Sequence, residues 1–154
     1  MDTLSRERRS WNMSRIAGRN TKPELVVRST LHRLSYRFRL HRRDLPGKPD
    51  IILPKHRAVV FVHGCFWHRH SRCKYAYTPK SNLPFWQAKF EGNVQRDRIA
   101  ARRLRKLGWR VVVVWECQTT DTAALAKRLT EALSWSVRKN RKGDKRHDNS
   151  TRSP

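Results

Sequence analysis

The sequence has few acidic residues. Among 154 residues, Asp and Glu number 12 against 36 Lys and Arg, so the formal net charge is +24. This excess of positive charge indicates a polyanionic partner, and nucleic acid is the first candidate. Charge alone does not separate an enzyme from a ribosomal or chromatin-like protein, so it predicts a class of partner and no chemistry. Because acids are scarce here, those at the start of a strand or on an apolar helix face are candidates for specific roles.

Long apolar runs are also absent. No stretch of consecutive apolar residues reaches ten, which argues against a membrane-spanning helix. The basic residues do not lie opposite one apolar stripe, so a membrane surface is a poor fit as well. Residues 1–10 are polar and charged, and we find no secretory signal in them. The sequence therefore predicts an intracellular protein without a membrane partner.

Cysteine is rare too. The sequence has three cysteines, and an odd number in a reducing compartment argues against a disulfide framework. Three thiolates and one imidazole do complete a tetrahedral zinc set. We therefore predict a structural zinc site. Its ligands are Cys65, His70, Cys73 and Cys117, and His68 is an alternative to His70. In the other interpretation, Cys65 and Cys117 are small buried residues at strand ends.

The apolar pattern predicts a mixed α/β fold with a central sheet. Helices are predicted over residues 22–34, 84–107 and 122–133. Strands are predicted near residues 36–38 and over residues 50–53, 57–62 and 111–115, and the second and third of these form a hairpin. An irregular loop joins them to the long helix over residues 63–82. We divide the chain into a flexible basic arm (1–20), one domain (21–136) and a disordered basic tail (137–154).

Asp50, at the start of a predicted strand, is a candidate metal ligand. Mg²⁺-dependent hydrolysis of a phosphodiester needs a carboxylate that holds Mg²⁺, a base that activates water, and positively charged groups that contact the phosphate. The hairpin register decides whether Asp50 lies beside the backbone carbonyl of Val62. If it does, both groups bind Mg²⁺ and the imidazoles of His63 and His68 are placed for general-base work. Otherwise Asp50 only begins the strand.

Two other acids also allow a structural interpretation. Glu24 lies three residues after Thr21, so it fits a capping box as well as a role in orienting a metal-bound water. Asp97 lies on the apolar face of the long predicted helix, where an unpaired carboxylate is costly. It therefore pairs with a buried His or Arg, or it belongs to a polar site.

Several aromatic residues lie among charged ones. Phe66 and Trp67 are in the cysteine- and histidine-rich loop, and Trp86 follows soon after it in the sequence. These side chains are candidates for a wedge that intercalates between base steps. The alternative is a small satellite core under the zinc loop. Met13, beside Trp11 in the basic arm, is a further candidate for contact with a DNA groove.

Taken together, these motifs resemble the very short patch repair (Vsr) endonuclease family. The resemblance runs from about residue 10 to 135, with Asn12-Met13 and the helix start at residues 21–24 at its beginning. Its main motifs are LPGKPD (45–50), HGCFWH (63–68), NVQRD (93–97) and the strand with its flanks (108–117). The resemblance implies a restriction-endonuclease-like fold, in which helices flank a central mixed sheet and zinc stabilises a loop.

The resemblance implies a DNA mismatch repair endonuclease that depends on Mg²⁺ and contains zinc. Such an enzyme nicks the strand 5′ to the thymine of a T·G mismatch that arises when 5-methylcytosine deaminates. Its partner would be double-stranded DNA, with mismatch-repair proteins and a repair polymerase as further partners. The protein would act as a monomer in the bacterial cytoplasm, at the nucleoid. The alternatives are a zinc-stabilised DNA-binding module without catalysis and a mismatch glycosylase.

The family's site residues carry over to matching positions. Asp50 and the Val62 carbonyl would bind Mg²⁺, and His68 would be the general base. His63 and Glu24 would support the metal-bound water, with Asp97 behind the histidines. Zinc would be held by Cys65, His70, Cys73 and Cys117, and intercalation would involve Phe66, Trp67, Trp86 and Met13. Val62 stands where Thr is expected. The second carboxylate and the lysine of the wider restriction-type motif are missing, and histidine replaces them.

Overall fold

Four strands form one mixed sheet. The structure, a computed structural model, describes residues 20–143 and the side chains of residues 20–134. The strands are β1 (Arg39–Leu40), β2 (Ile51–Leu53), β3 (Ala58–His63) and β4 (Arg110–Trp115), in that spatial order. Pairing is antiparallel from β1 to β3 and parallel between β3 and β4. The predictions for residues 1–19, including the arm around Met13, lie outside the described residues.

The predicted hairpin of β2 and β3 is present. A 3₁₀ turn, Pro54–His56, joins its strands, and Arg57 closes the turn in a left-handed conformation with φ of 49°. The first strand was predicted too early in the chain. Tyr36 and Phe38 do not pair with β2, because their side chains pack against the core cluster between the sheet and the helices.

Three helices flank the sheet, as predicted: α1 (Lys22–Arg33), α2 (Leu83–Lys106) and α3 (Thr122–Gly143). The crossover from β3 to β4 runs through α2, as parallel pairing requires. Gly108, with φ of 87°, follows the end of α2. The last helix was predicted to end at Leu133 but continues to Gly143, so it enters the segment predicted as a tail. No helix in the described part of the chain is long and apolar enough to cross a membrane.

Apolar side chains cover both faces of the sheet. On one face, α1 and α3 pack against alternate strand residues around Leu31, Val60, Val114 and Leu129. On the other face, Ile52, Val59 and Phe61 pack with Leu104 of α2 and with Trp109. Neither cluster includes a residue of the loop 64–82. The hydrophobic core therefore forms without that loop, which consequently needs another source of order.

Gly47 fixes how closely the loop before β2 approaches α2. A Cβ at this position would lie 2.5 Å from the Cβ of Ala100 and 3.2 Å from Cζ of Phe61, and φ is +73°. Because of the left-handed backbone and the overpacking, we expect Gly47→Ala to lower the free energy of unfolding by about 2–4 kcal/mol. Gly92, inside α2, is the matched control because a Cβ there would lie 3.8 Å from its nearest neighbour, Nη1 of Arg96.

Chemical denaturation of the two alanine variants measures this difference. Gly92→Ala is expected to be neutral or to stabilise by about 0.5–1 kcal/mol, since it only improves helix propensity. Equal stability of the Gly47→Ala variant and the unmodified protein would show that the loop moves away from α2 without penalty.

Candidate active site

Asp50 lies at the edge of the hairpin, where the pairing between β2 and β3 fixes its position. Its backbone N–H donates to the carbonyl of Val60 (3.1 Å), and its Oδ2 accepts a hydrogen bond from the backbone N–H of Val62 (2.7 Å). The register therefore brings Asp50 beside Val62, which is the nearer of the two arrangements that the sequence allowed. No lysine or arginine within residues 20–134 forms an ion pair with this carboxylate.

The electrostatics around Asp50 favour a bound cation. Burial raises the pKa of Asp50 to about 6, the hydrogen bond from Val62 opposes this rise, and the negative charge of Glu24 adds to it. A hard divalent ion would remove this penalty, since carboxylate and carbonyl oxygens are the ligands that Mg²⁺ prefers. The donor set therefore fits Mg²⁺, with the Asp50 carboxylate and the Val62 carbonyl as the residues that would hold it.

Glu24 serves the helix end and the cavity together. Thr21 is the N-cap of α1, and its side chain accepts a hydrogen bond from the backbone N–H of Glu24. The reciprocal bond of a capping box is shifted by one residue, since Glu24 Oε2 accepts from the N–H of Asn20 (3.0 Å) and from Arg28 (3.2 Å). Glu24 is only 3% exposed and lines the same cavity as Asp50.

The two active-site imidazoles form a stacked pair. The rings of His63 and His68 lie 4.0 Å apart at an interplanar angle of 6°. His68 Nδ1 is 2.7 Å from Asp97 Oδ2, while His63 Nε2 is 3.9 Å from Asp97 Oδ1. The half-exposed Asp97 on α2 thus pairs with histidine, one of the two interpretations that the sequence allowed. A hydrogen bond at Nδ1 leaves Nε2 of His68 free to accept a proton.

Burial lowers the pKa of His63 to about 4, the neighbouring His68 contributes in the same direction, and Asp97 opposes both. His63 is therefore neutral at pH 7. One ligand atom from each of His63, His68 and Asp97 also lies within 4.8 Å of the others, as metal ligands do. The 2.7 Å separation between His68 and Asp97 is that of a charge-assisted hydrogen bond, which suits proton transfer as well.

A cavity of about 660 Å³ unites these side chains. Its walls include Glu24, Asp50, His63, His68 and Asp97. The cations Lys48 and Arg96 line the same cavity. Carboxylates, imidazoles and cations around one space can together hold a metal ion, move a proton and bind a phosphate.

A second cluster beside this cavity has the composition of a zinc site. It consists of Cys65, His70, Cys73 and Cys117, whose ligand atoms all lie within 4.8 Å of one another. The Nδ1 atom of His70 is 3.7 Å from Sγ of Cys65 and 3.4 Å from Sγ of Cys117. Two corners of a zinc tetrahedron lie about 3.5–3.8 Å apart, given Zn–S near 2.3 Å and Zn–N near 2.0 Å. The cluster therefore fits zinc, and His70 rather than His68 is its imidazole.

The aromatic residues form one cluster next to the cavity. The ring of Phe66 lies 5.1 Å from that of Trp67, 5.6 Å from that of Trp86 and 5.2 Å from that of Phe90. Phe90 is buried, whereas Phe66, Trp67 and Trp86 are half-buried. The cluster has one buried ring, Phe90, as a satellite core would, and three partly accessible rings, as a wedge would require.

Known proteins resemble the chain in sequence and fold. The family model described as DNA mismatch endonuclease Vsr matches residues 1–74. A type II nicking enzyme, V.XorIIP, of Xanthomonas oryzae pv. oryzae is 52% identical over 86% of this chain and 96% of its own length. The DNA mismatch endonuclease Vsr of Escherichia coli is 42% identical over 86% of this chain and 85% of its own length.

The chain belongs to the Vsr family of DNA mismatch endonucleases. It is therefore an enzyme, an endodeoxyribonuclease, as predicted. In the solved structures, the catalytic domain of the homing endonuclease I-Bth0305I matches with a TM-score of 0.55 at 18% identity, over 77% of this chain and 99% of that domain. This likeness concerns the fold, and it confirms the predicted mixed sheet with flanking helices.

Some residues of this Vsr site escaped the sequence analysis. Lys48, Arg96 and Glu116 line the cavity, and Asn93 donates a hydrogen bond to the backbone carbonyl of Trp67 (3.0 Å). The position of Lys48, two residues before Asp50, was a signal for the first of them. Trp115 gave no signal, because its contacts with two histidines depend on the pairing of β3 with β4.

Proposed function

We propose that this Vsr endonuclease nicks double-stranded DNA 5′ to the thymine of a T·G mismatch, in a hydrolysis that depends on Mg²⁺. One observation carries the proposal: the hydrogen-bonded pair of His68 and Asp97 faces the same cavity as Asp50, and aromatic rings adjoin that cavity. The relatives' names, a DNA mismatch endonuclease and a type II nicking enzyme, support the choice of substrate and reaction.

The side chains divide the reaction between them. Asp50 and the carbonyl of Val62 would hold Mg²⁺, which when bound would neutralise phosphate charge and make a bound water more acidic. Nε2 of His68 takes the proton of the attacking water, and Asp97 holds the ring through Nδ1 and stabilises the imidazolium that forms. The neutral His63 keeps the plane of the His68 ring through stacking. Glu24 accepts a hydrogen bond from the attacking water.

The aromatic cluster supplies a way to locate a mismatch. A T·G pair is less stably stacked than its matched neighbours, so inserting Phe66, Trp67 and Trp86 there requires less unstacking energy. Two of the proposed wedge residues, Phe66 and Trp67, directly precede the proposed base His68 in the sequence. The wedge therefore sets the distance between the mismatch and the phosphate that is cut. One chain supplies all of these residues, so a monomer is sufficient.

The proposal is tested with end-labelled duplexes that differ only in a T·G or a T·A pair, incubated with Mg²⁺. The expected product is a single nick 5′ to the mismatched thymine, with the other strand intact. His68→Ala is expected to lower the rate on the order of 10²–10⁴-fold, as expected for loss of a general base. His56→Ala is the matched control, because His56 packs on Tyr36 far from the cavity.

Three results would contradict the proposal. Equal cutting of the T·G and T·A duplexes would exclude mismatch specificity. Strand breaks that appear only after alkali treatment would indicate base removal by a glycosylase. Binding that weakens steeply with salt but never produces a nick would leave only the DNA-binding module.

Val62→Thr tests whether a side-chain hydroxyl is needed at the second Mg²⁺ position. The Val62 side chain packs against the core cluster between the sheet and α1, so the proposed ligand is the backbone carbonyl, which the substitution keeps. We expect the nicking rate to stay within about threefold, with a loss of about 1 kcal/mol in stability from the less well packed hydroxyl. A rate increase of tenfold or more, measured in single-turnover nicking, would show that the hydroxyl takes part.

A further inference from the structure

A series of four rings in contact runs from the zinc cluster to the candidate active site: His70, Trp115, His63 and His68. Trp115 stacks on His70, with ring centroids 4.3 Å apart and an interplanar angle of 12°. The same indole contacts His63 in an edge arrangement, at 5.3 Å and 71°. His63 in turn stacks on His68 at 4.0 Å. Trp115 is therefore the one residue of this series that touches both a candidate zinc ligand and an active-site imidazole.

The sheet places Trp115 between the two sites. Trp115 is the last residue of β4 and is paired with His63, the last residue of β3, in the parallel register. Cys117, another candidate zinc ligand, follows two residues later. The position of the end of β4 is consequently fixed twice: Trp115 is paired with β3, and Cys117 would bind the zinc. The indole cannot shift without disturbing the ring of His63 or that of His70.

We propose that Trp115 is a positioning residue that fixes the orientation of the His63 and His68 rings relative to the zinc cluster. His63 needs such support because its Nε2 lies 3.9 Å from Asp97, beyond hydrogen-bond distance, whereas His68 Nδ1 is hydrogen-bonded to Asp97 at 2.7 Å. The edge of Trp115 restricts rotation of the His63 ring, and the stacked His68 ring follows that plane. The proton-accepting nitrogen of His68 thereby stays directed at the reacting water.

The surroundings of Trp115 make its loss consequential. Trp115, His63 and His68 all line a second cavity of about 1020 Å³, whose other walls include residues of α2 and β4. Removing the indole would enlarge that space beside His63 and would leave the ring free to rotate. Misplacement of a catalytic group by about 1 Å is enough to slow a reaction on the order of 10²-fold.

The experiment compares Trp115→Leu and Trp115→Phe with Trp109→Leu in the full-length, zinc-loaded protein. Trp109 lies near the other end of β4, is 8% exposed and packs in the core cluster beside α2, so the same substitution there destabilises the fold without touching a histidine ring. The measurements are zinc per chain, DNA affinity, the single-turnover nicking rate and the NMR signals of ¹³C-labelled histidine rings.

Trp115→Leu is expected to keep its zinc, to bind DNA within about threefold of the unmodified protein, and to nick about 10–100-fold more slowly. Trp115→Phe restores a ring and most of the rate. The ring signals of His63 and His68 shift in Trp115→Leu and not in Trp109→Leu. An unchanged rate with unshifted signals, or a loss of zinc, would overturn the proposal, as would equal slowing by Trp109→Leu.

The inference rests on the proposed function for the role of His68, but its test separates the two. If the unmodified protein does not nick T·G duplexes, the proposed function fails. The NMR comparison of the leucine variants then still decides whether Trp115 orders the histidine rings.

Discussion

Asp50→Asn is expected to abolish Mg²⁺-dependent nicking, with a rate loss on the order of 10³-fold or more. The amide has nearly the shape of the carboxylate and still accepts the hydrogen bond from the N–H of Val62, so the hairpin should keep its register. What disappears is the negative charge on which the proposed Mg²⁺ site depends. The variant is therefore a test of the charge and not of the fold, and its circular dichroism spectrum should match that of the unmodified protein.

The same substitution should change how stability depends on pH. In the metal-free protein, burial raises the pKa of Asp50 to about 6 from its usual value near 3.8. The folded state therefore binds the proton more tightly than the unfolded state, and this contribution is full below pH 4 and is lost as the pH rises through 6. Without Mg²⁺, Asp50→Asn should consequently be more stable than the unmodified protein at pH 7, by about 1–3 kcal/mol.

Thermal unfolding with and without Mg²⁺ measures both effects. In the unmodified protein, the rise in Tm caused by Mg²⁺ should be larger at pH 7.5 than at pH 5, because the metal competes with the proton for Asp50. In Asp50→Asn the rise should vanish at both values. Asp44→Asn is the matched control, since Asp44 is an exposed acid paired with Arg42. A Mg²⁺-induced shift that persists in Asp50→Asn would place the metal elsewhere.

Most of the fold was predictable because its elements have clear local patterns. The cap at Thr21, the β-branched run of β4 and the turn at Pro54 each act over a few residues, and the structure has all three. The errors lie where contacts between residues distant in sequence decide the local structure. Tyr36 and Phe38 alternate with arginine, as residues of a strand do, but their side chains pack against the core and the pairing with β2 begins only after them.

The candidate site was predictable mainly through its motifs. From residue pattern alone, the register of the β2–β3 hairpin was open, because slipping by two residues keeps every side chain on the same face. The structure removes that ambiguity by the two hydrogen bonds between Asp50 and β3. The contacts of Trp115 could not be predicted from any local pattern. Its neighbours His63 and His70 lie about 50 residues earlier, and only the parallel pairing of β3 with β4 brings them together.

Cys117→Ser is expected to remove the zinc and most of the activity while leaving the hydrophobic core folded. Neither core cluster includes a residue of the loop 64–82, so we expect the sheet and helices to fold without the metal. The loop does depend on it, because four ligands would fix its backbone where few apolar contacts exist. Elemental analysis should find about one zinc per chain in the unmodified protein and none in the variant.

Limited trypsin digestion locates the damage. Arg69, Arg72 and Lys74 are cleavage sites inside the loop, and they should become sensitive in Cys117→Ser while the core resists. Ser71→Ala is the control, since Ser71 is an exposed loop residue outside the cysteine and histidine cluster. Global digestion of the variant would mean that zinc supports the whole fold.

Zinc loss should lower nicking by at least about 100-fold, because one loop carries both proposed functions. Phe66 and Trp67 belong to the wedge, and His68 follows them directly in the sequence. A loop without its metal can neither insert the wedge at a mismatch nor hold the base at the phosphate. Burial also raises the pKa of Cys65 to about 12, so protons compete with zinc for this thiol. Acid should therefore release the metal and the activity together, and nicking that survives complete zinc removal would show that the loop is ordered by other means.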